Sequence, residues 1–135
     1  MKTRLLPFMV LLLAMALAGG WPGHAQTGGQ RTGEVMKLKL DHVQRLLEAI
    51  ATENYDVMTL NAEMLGKLSQ AAGWRVRETP QYELFSADFR RHVDALAKAA
   101  RDRNVDAASL AYVQMTLSCV QCHKYMRNPK TADLR

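Results

Sequence analysis

Cysteine is nearly absent from this chain, with two residues, Cys119 and Cys122, among 135. That excludes a fold framed by disulfides, because the single available bridge would close a loop of only two intervening residues. Long apolar runs are also lacking. The longest, Leu5 to Ala18, is about 14 residues, short of the ~20 that cross a bilayer as a helix. Basic residues outnumber acidic ones, 18 to 13, yet no basic run stands apart from the acids to track phosphates, so no nucleic-acid partner is expected. No segment alternates apolar and polar residues long enough for a strand, and there is neither an internal repeat nor a low-complexity tract. No pair of groups suggests general acid–base work, so the chain is not expected to be an enzyme.

What is present begins with a basic head, MKTR, then the apolar run, then Gly-Gly-Trp-Pro-Gly-His-Ala. That order predicts a secretory signal over residues 1–25, cut after Ala25, with Ala18 as the other candidate. Loss of Lys2 and Arg4 takes the formal charge from +5 to +3, a mild excess that favours acidic partners through weak steering. The expected destination is the periplasm, where thiols oxidise unless another bond consumes them.

After a polar tail over residues 26–32, one helical domain is expected over residues 33–135, closing on a loose tail, NPKTADLR. Helix A is expected over 33–52, with Met36, Leu40, Val43, Leu47 and Ile50 as its inner stripe, Leu46 flanking it, and Lys37, Lys39, Asp41, Arg45 and Glu48 mostly outside. Helix B is expected over 54–72, with Val57, Leu60, Met64, Leu65 and Leu68 inward and Gly73 as a stop. Helix C is expected over 83–104 with Phe85, Phe89, Val93, Leu96 and Ala100 inward. Helix D is expected over 107–127, with Asp106 as its N-cap and Leu110, Val113, Leu117 and Val120 inward. Four such helices with short connectors predict an all-α fold, an antiparallel four-helix bundle.

The chemistry concentrates in SCVQCHKYMR, residues 118–127. Cys119, Cys122 and His123 stand at i, i+3 and i+4 and share one helical face with Thr116 and Tyr112. Cys-x-x-Cys-His is the attachment signature of c-type haem: two thioethers a turn apart reach two vinyl groups, and the next residue offers an imidazole to the iron. Two other readings exist. Zinc needs four ligands, and outside the motif the mature chain has only His42 and His92 as nitrogen donors and no second cysteine pair. A redox dithiol usually sits at a helix N-terminus, whereas this pair lies near a helix end with no βαβ pattern around it.

With that motif in a fourth helix, the chain resembles the class II cytochromes c, the cytochrome c prime group, over about residues 33–127. Cys119, Cys122 and His123 followed by Tyr125 and Arg127 resemble the family's CxxCH, aromatic and arginine. LGKLSQAAGW, Leu65 to Trp74, looks like the end of its second helix. The resemblance implies a four-helix bundle with one covalent haem c and His123 as axial ligand. It brings Met36 onto the sixth iron position and Arg127 beside the haem as a basic group. Where the family often has an arginine one turn before that position, Thr32 stands, with Arg31, Lys37 and Lys39 nearby. Tyr82, Phe85, Phe89 and Tyr112 could line the haem or simply pack, and Trp74 could cover the bundle end. His42 and His92 are expected to be solvated, and Met58, Met64 and Met115 to be core or surface. The implied role is electron transfer with redox partner proteins. The alternative is a five-coordinate haem that binds gases such as NO or CO. The family also forms homodimers through its first two helices.

Overall fold

In a computed structural model, residues 28–128 are described, and they are helical apart from short connections. The elements are α1 (Gly28–Ala51), α2 (Tyr55–Leu68), α3 (Pro80–Arg101) and α4 (Val105–Met126), with a 3-10 turn at Ala72–Trp74 between α2 and α3. Among the described residues there is no strand and no helix long and apolar enough to cross a membrane. The expected leader and the first two residues of the expected tail lie outside the described residues. Residues 28–32, expected as tail, instead form the first turns of α1.

Side-chain caps set the helix starts. Asn54 Oδ1 accepts from the Val57 amide at 3.2 Å, Thr79 Oγ1 from Tyr82 at 3.2 Å, and Asn104 Oδ1 from Ala107 at 2.9 Å. Each such cap stabilises its helix by about 1 kcal/mol. Pro80 follows Thr79 in the first helical turn, where its missing N–H costs nothing. Asn104, expected to end the third helix, thus starts the fourth, and Asp106 lies inside its first turn.

The α1–α2 and α3–α4 connections are built alike. Glu53 and Arg103 both take φ of 52°, and the following Asn54 and Asn104 amides reach back to the carbonyls of Ala49 and Ala99 at 2.8 and 2.9 Å. This is the Schellman closure, made here by side-chain-bearing residues at about 1 kcal/mol of strain each. Tyr55 ties the two loops together: its hydroxyl donates to Glu53 at 3.2 Å, and the Arg103 guanidinium lies 4.9 Å above its ring. Connections this tight leave consecutive helices antiparallel.

Leu46, Met58, Leu65, Val93, Leu96 and Met115 are almost fully buried, each contributing roughly 2 kcal/mol of apolar burial. The expected stripe of α3 holds, with Phe89, Val93, Leu96 and Ala100 buried and Phe85 half-buried. The other three rotate. On α1 the inward line runs through Met36, Lys39, Val43, Leu46 and Ile50, while Leu40 and Leu47 are exposed. On α2 Met58, Asn61, Ala62 and Leu65 are buried and Leu60 is exposed. On α4 the buried residues are Ala108, Ala111, Met115 and Ser118, and the whole expected stripe faces outward. The cause on α4 is close approach. Small residues there meet Ala97 and Ala100 of α3 in one core, and the α3–α4 contact is the most extensive in the molecule. The α1–α4 contact is the slightest of the neighbouring helix pairs, which leaves a cleft between them.

The start of α1 is held by the connector. A Cβ at Gly73 would come within 2.9 Å of Val35 Cγ2 and 3.1 Å of the Arg31 carbonyl oxygen, so only glycine permits this approach. At Gly66, inside α2, the nearest atom to an added Cβ is Val93 Cγ1 at 3.9 Å, ordinary contact. Gly73→Ala is therefore expected to lower stability by about 1–3 kcal/mol through overpacking. Gly66→Ala should raise it by about 0.5–1 kcal/mol through helix propensity. Urea denaturation of the two variants checks both signs.

Candidate functional site

Antiparallel order brings four segments to one end of the molecule: the last turns of α4, the first turns of α1, the connector, and the start of α3. Two openings meet there. A groove of ≈ 550 Å³ between α1 and α4 is lined by Met36, Lys39, Val43, Cys119, His123 and Arg127, among others. A cavity of ≈ 150 Å³ behind it is lined by Met36, Lys39, Trp74, Phe85, Phe89, Cys122 and His123, among others. Met36, Lys39 and His123 border both.

Cys119 borders the groove and Cys122, one turn further along the same face, borders the cavity. Both are free and half-buried. Burial pushes the Cys122 thiol above its ordinary range, against a smaller pull from Lys39. An activated redox thiol needs the opposite shift. His123 is also displaced: burial lowers its pKa, and the nearby charges of Lys39 and Arg127 lower it further. Arg127 donates from Nε to the His123 carbonyl at 3.2 Å, closing the last turn of α4 while its side chain borders the groove.

Aromatic residues form the inner wall. Trp74 and Phe89 lie 5.1 Å apart between centroids, and Trp74 Nε1 donates to Ser86 Oγ at 3.1 Å. The Tyr82 hydroxyl donates to the Trp74 carbonyl. Phe85 packs 5.5 Å from Tyr125, whose hydroxyl hydrogen-bonds Thr79 Oγ1 at 2.8 Å. Trp74, Tyr82, Phe85 and Phe89 thus border the cavity, whereas Tyr112 borders neither opening.

Lys39 is the site residue that helical periodicity missed. It was expected outside the apolar face of its helix, yet only 7% of it is exposed. Its ammonium lies 4.1 Å from the Phe89 centroid and 4.5 Å from that of Trp74. Each cation–π contact is worth about 0.5–2 kcal/mol. Among the described residues no carboxylate pairs with it. Burial pushes its pKa down, and the neighbouring Cys119 and Cys122 partly restore it. The clue available in the sequence was the second 3-4 ladder on the same helix, Met36–Lys39–Val43–Leu46–Ile50, which reads as helical once a lysine is allowed on it.

Other candidates fall elsewhere. His42, expected to be solvated, is half-buried and bonds through Nδ1 to Asn61 Oδ1 at 2.8 Å, joining α1 to α2. His92 is half-buried on α3 and borders neither opening. Met58 and Met115 are core and Met64 is half-buried. Thr32 borders the cavity and Lys37 the groove. Among the described residues, no three His, Cys, Asp or Glu side chains converge to hold a bare metal ion. Compared with family models, curated proteins and solved structures, the chain has no match.

Lys39 holds its proton less firmly folded than unfolded. Stability therefore rises as pH climbs from its lowered pKa toward the unfolded value of 10.5, apart from opposing losses as raised tyrosine and Cys122 groups ionise. Lys39→Met should remove the Lys39 part of that rise and stabilise the chain at pH 7 by about 1–2 kcal/mol. Urea midpoints of both proteins between neutral and alkaline pH measure the difference.

Proposed function

We propose that this chain is an exported, periplasmic monohaem c-type cytochrome that carries electrons, in the manner of the class II cytochromes c it resembles. Cys119 and Cys122 would hold the haem through thioethers. His123 and Met36 would be the axial ligands, and Arg127 a cation at its edge. The observation that carries the reading is the convergence at one cleft of two free thiols a turn apart, an imidazole beside them, and a thioether on the facing helix.

The residues fit such a group. The openings share their lining, and their walls are aromatic and aliphatic on the side away from solvent. Soft thioether and imidazole ligands are those that low-spin haem iron takes in electron carriers. When bound, haem supplies a one-electron ferric–ferrous couple. The chain's part is to fix the ligands on two rigid helices, keep water from the inner wall, and leave one edge open along the groove. Lys39 would add a positive charge inside the cleft, which favours the reduced state. Exposed Lys37 and Arg127 border the opening and would steer an acidic redox partner. No step in this role needs a proton moved or a substrate bound.

Optical spectra of the purified chain, made in a host that matures haem c, test the proposal in both redox states and under carbon monoxide. Expected are sharp low-spin bands, a ferric methionine–iron charge-transfer band that Met36→Ala abolishes, and no response to carbon monoxide. Cys119→Ser with Cys122→Ser should lose haem on denaturation. High-spin bands that shift with carbon monoxide would replace the electron carrier with the five-coordinate, gas-binding alternative. Absence of covalent haem would sink both.

A further inference from the structure

The four large residues expected inside α4 lie outside it: Leu110 is 61% exposed, Val113 53%, Leu117 54% and Val120 43%. From Ala107 to Cys122 the helix carries no charged residue on any face. A wide apolar stripe on a helix is ordinarily covered. Among the described residues, only the opposite side of α4 is covered.

The exposed residues are spaced 3, 4 and 3, the repeat of a helix–helix seam. The same line continues four residues back to Asp106 and four residues on to Lys124. Asp106 and Lys124 are both exposed, and neither makes an ion pair among the described residues. One face of α4 thus reads as acid, four aliphatics, base.

That order is self-complementary in one orientation. With a second copy antiparallel, Leu110 meets Val120 of the other chain and Val113 meets its Leu117, so each layer pairs a larger with a smaller side chain. Asp106 meets Lys124 at both ends. A parallel pair would set acid against acid and base against base. The seam is about 27 Å long. Leu40 of α1, which shares the groove with Val120 and is 55% exposed, extends it sideways together with Leu47. The contact falls at the small end of stable interfaces, about 600–800 Å² per partner.

We propose that α4 is the dimer interface of this protein, two copies pairing antiparallel along Asp106, Leu110, Val113, Leu117, Val120 and Lys124. The proposal rests on the outer face of α4 and holds whether or not the chain carries haem. The cleft at Cys119 and His123 lies on the adjacent side of the helix, with Val120 and Leu40 on the shared border. It also differs from pairing through the first two helices, the mode that family resemblance implies.

Sedimentation equilibrium of the purified chain across the micromolar range tests it. A monomer–dimer equilibrium is expected. Leu117→Glu, at an exposed position that leaves the core intact, should raise Kd by about a hundredfold or more. Leu60→Glu, on the exposed face of α2, should leave Kd unchanged. Asp106→Lys and Lys124→Asp should each raise Kd about two- to fivefold, with the double exchange recovering the loss. Far-UV circular dichroism confirms that each variant keeps its helices. A chain monomeric throughout, a dimer that survives Leu117→Glu, or one that dissociates with Leu60→Glu would overturn the proposal. Failure of the double exchange to recover pairing would overturn the antiparallel register.

Discussion

Small side chains between α3 and α4 control how the rest of the molecule is arranged. Ala97 and Ala100 on one helix, with Ala108, Ala111 and Ser118 on the other, let the two backbones approach closely. Dispersion contacts at close packing are individually weak and collectively large, so a helix settles with its best-fitting face inward, even when larger aliphatics lie on another. That choice sets the rotation of α4. It turns Cys122 toward the inner cavity and Cys119 toward α1, and it leaves Leu110, Val113, Leu117 and Val120 on the surface.

The cleft is the complement of that packing. Because α4 is drawn against α3, it meets α1 only lightly, and the space between them is where the thiols, the imidazole and Met36 converge. The near end of α1 is tied down by Gly73 against Arg31 and Val35, and the far loops are tied by Tyr55. The cleft therefore stays open between anchored ends. It also explains why a lysine can be buried there. Two aromatic faces give Lys39 an attractive surface that no carboxylate supplies.

Much of the fold was legible in the sequence. Four helices were expected over residues 33–127 and four α-helices are present among the described residues, in the expected order and joined by the expected short connections. The boundaries moved where capping chemistry decided them: Asn54, Thr79 and Asn104 set starts that apolar spacing alone misplaced by a few residues. The faces were harder. Leu40 and Leu47 form as good a ladder with Met36, Val43 and Ile50 as Lys39 and Leu46 do, and hydrophobicity alone prefers the leucines. On α4 the same preference selects the four aliphatics over alanine and serine, and the molecule does the reverse.

Helical periods, caps and the Cys-x-x-Cys-His cluster with its shared helical face follow from the local order of residues, because each depends on side chains within a turn of one another. Tertiary structure alone decided which way each face points, since rotation about a helix axis is set by how neighbouring surfaces fit. Lys39 entered the site because Trp74 and Phe89, far along the chain, came to lie over it. The outer stripe of α4 became a surface because alanines elsewhere in the same helix packed better.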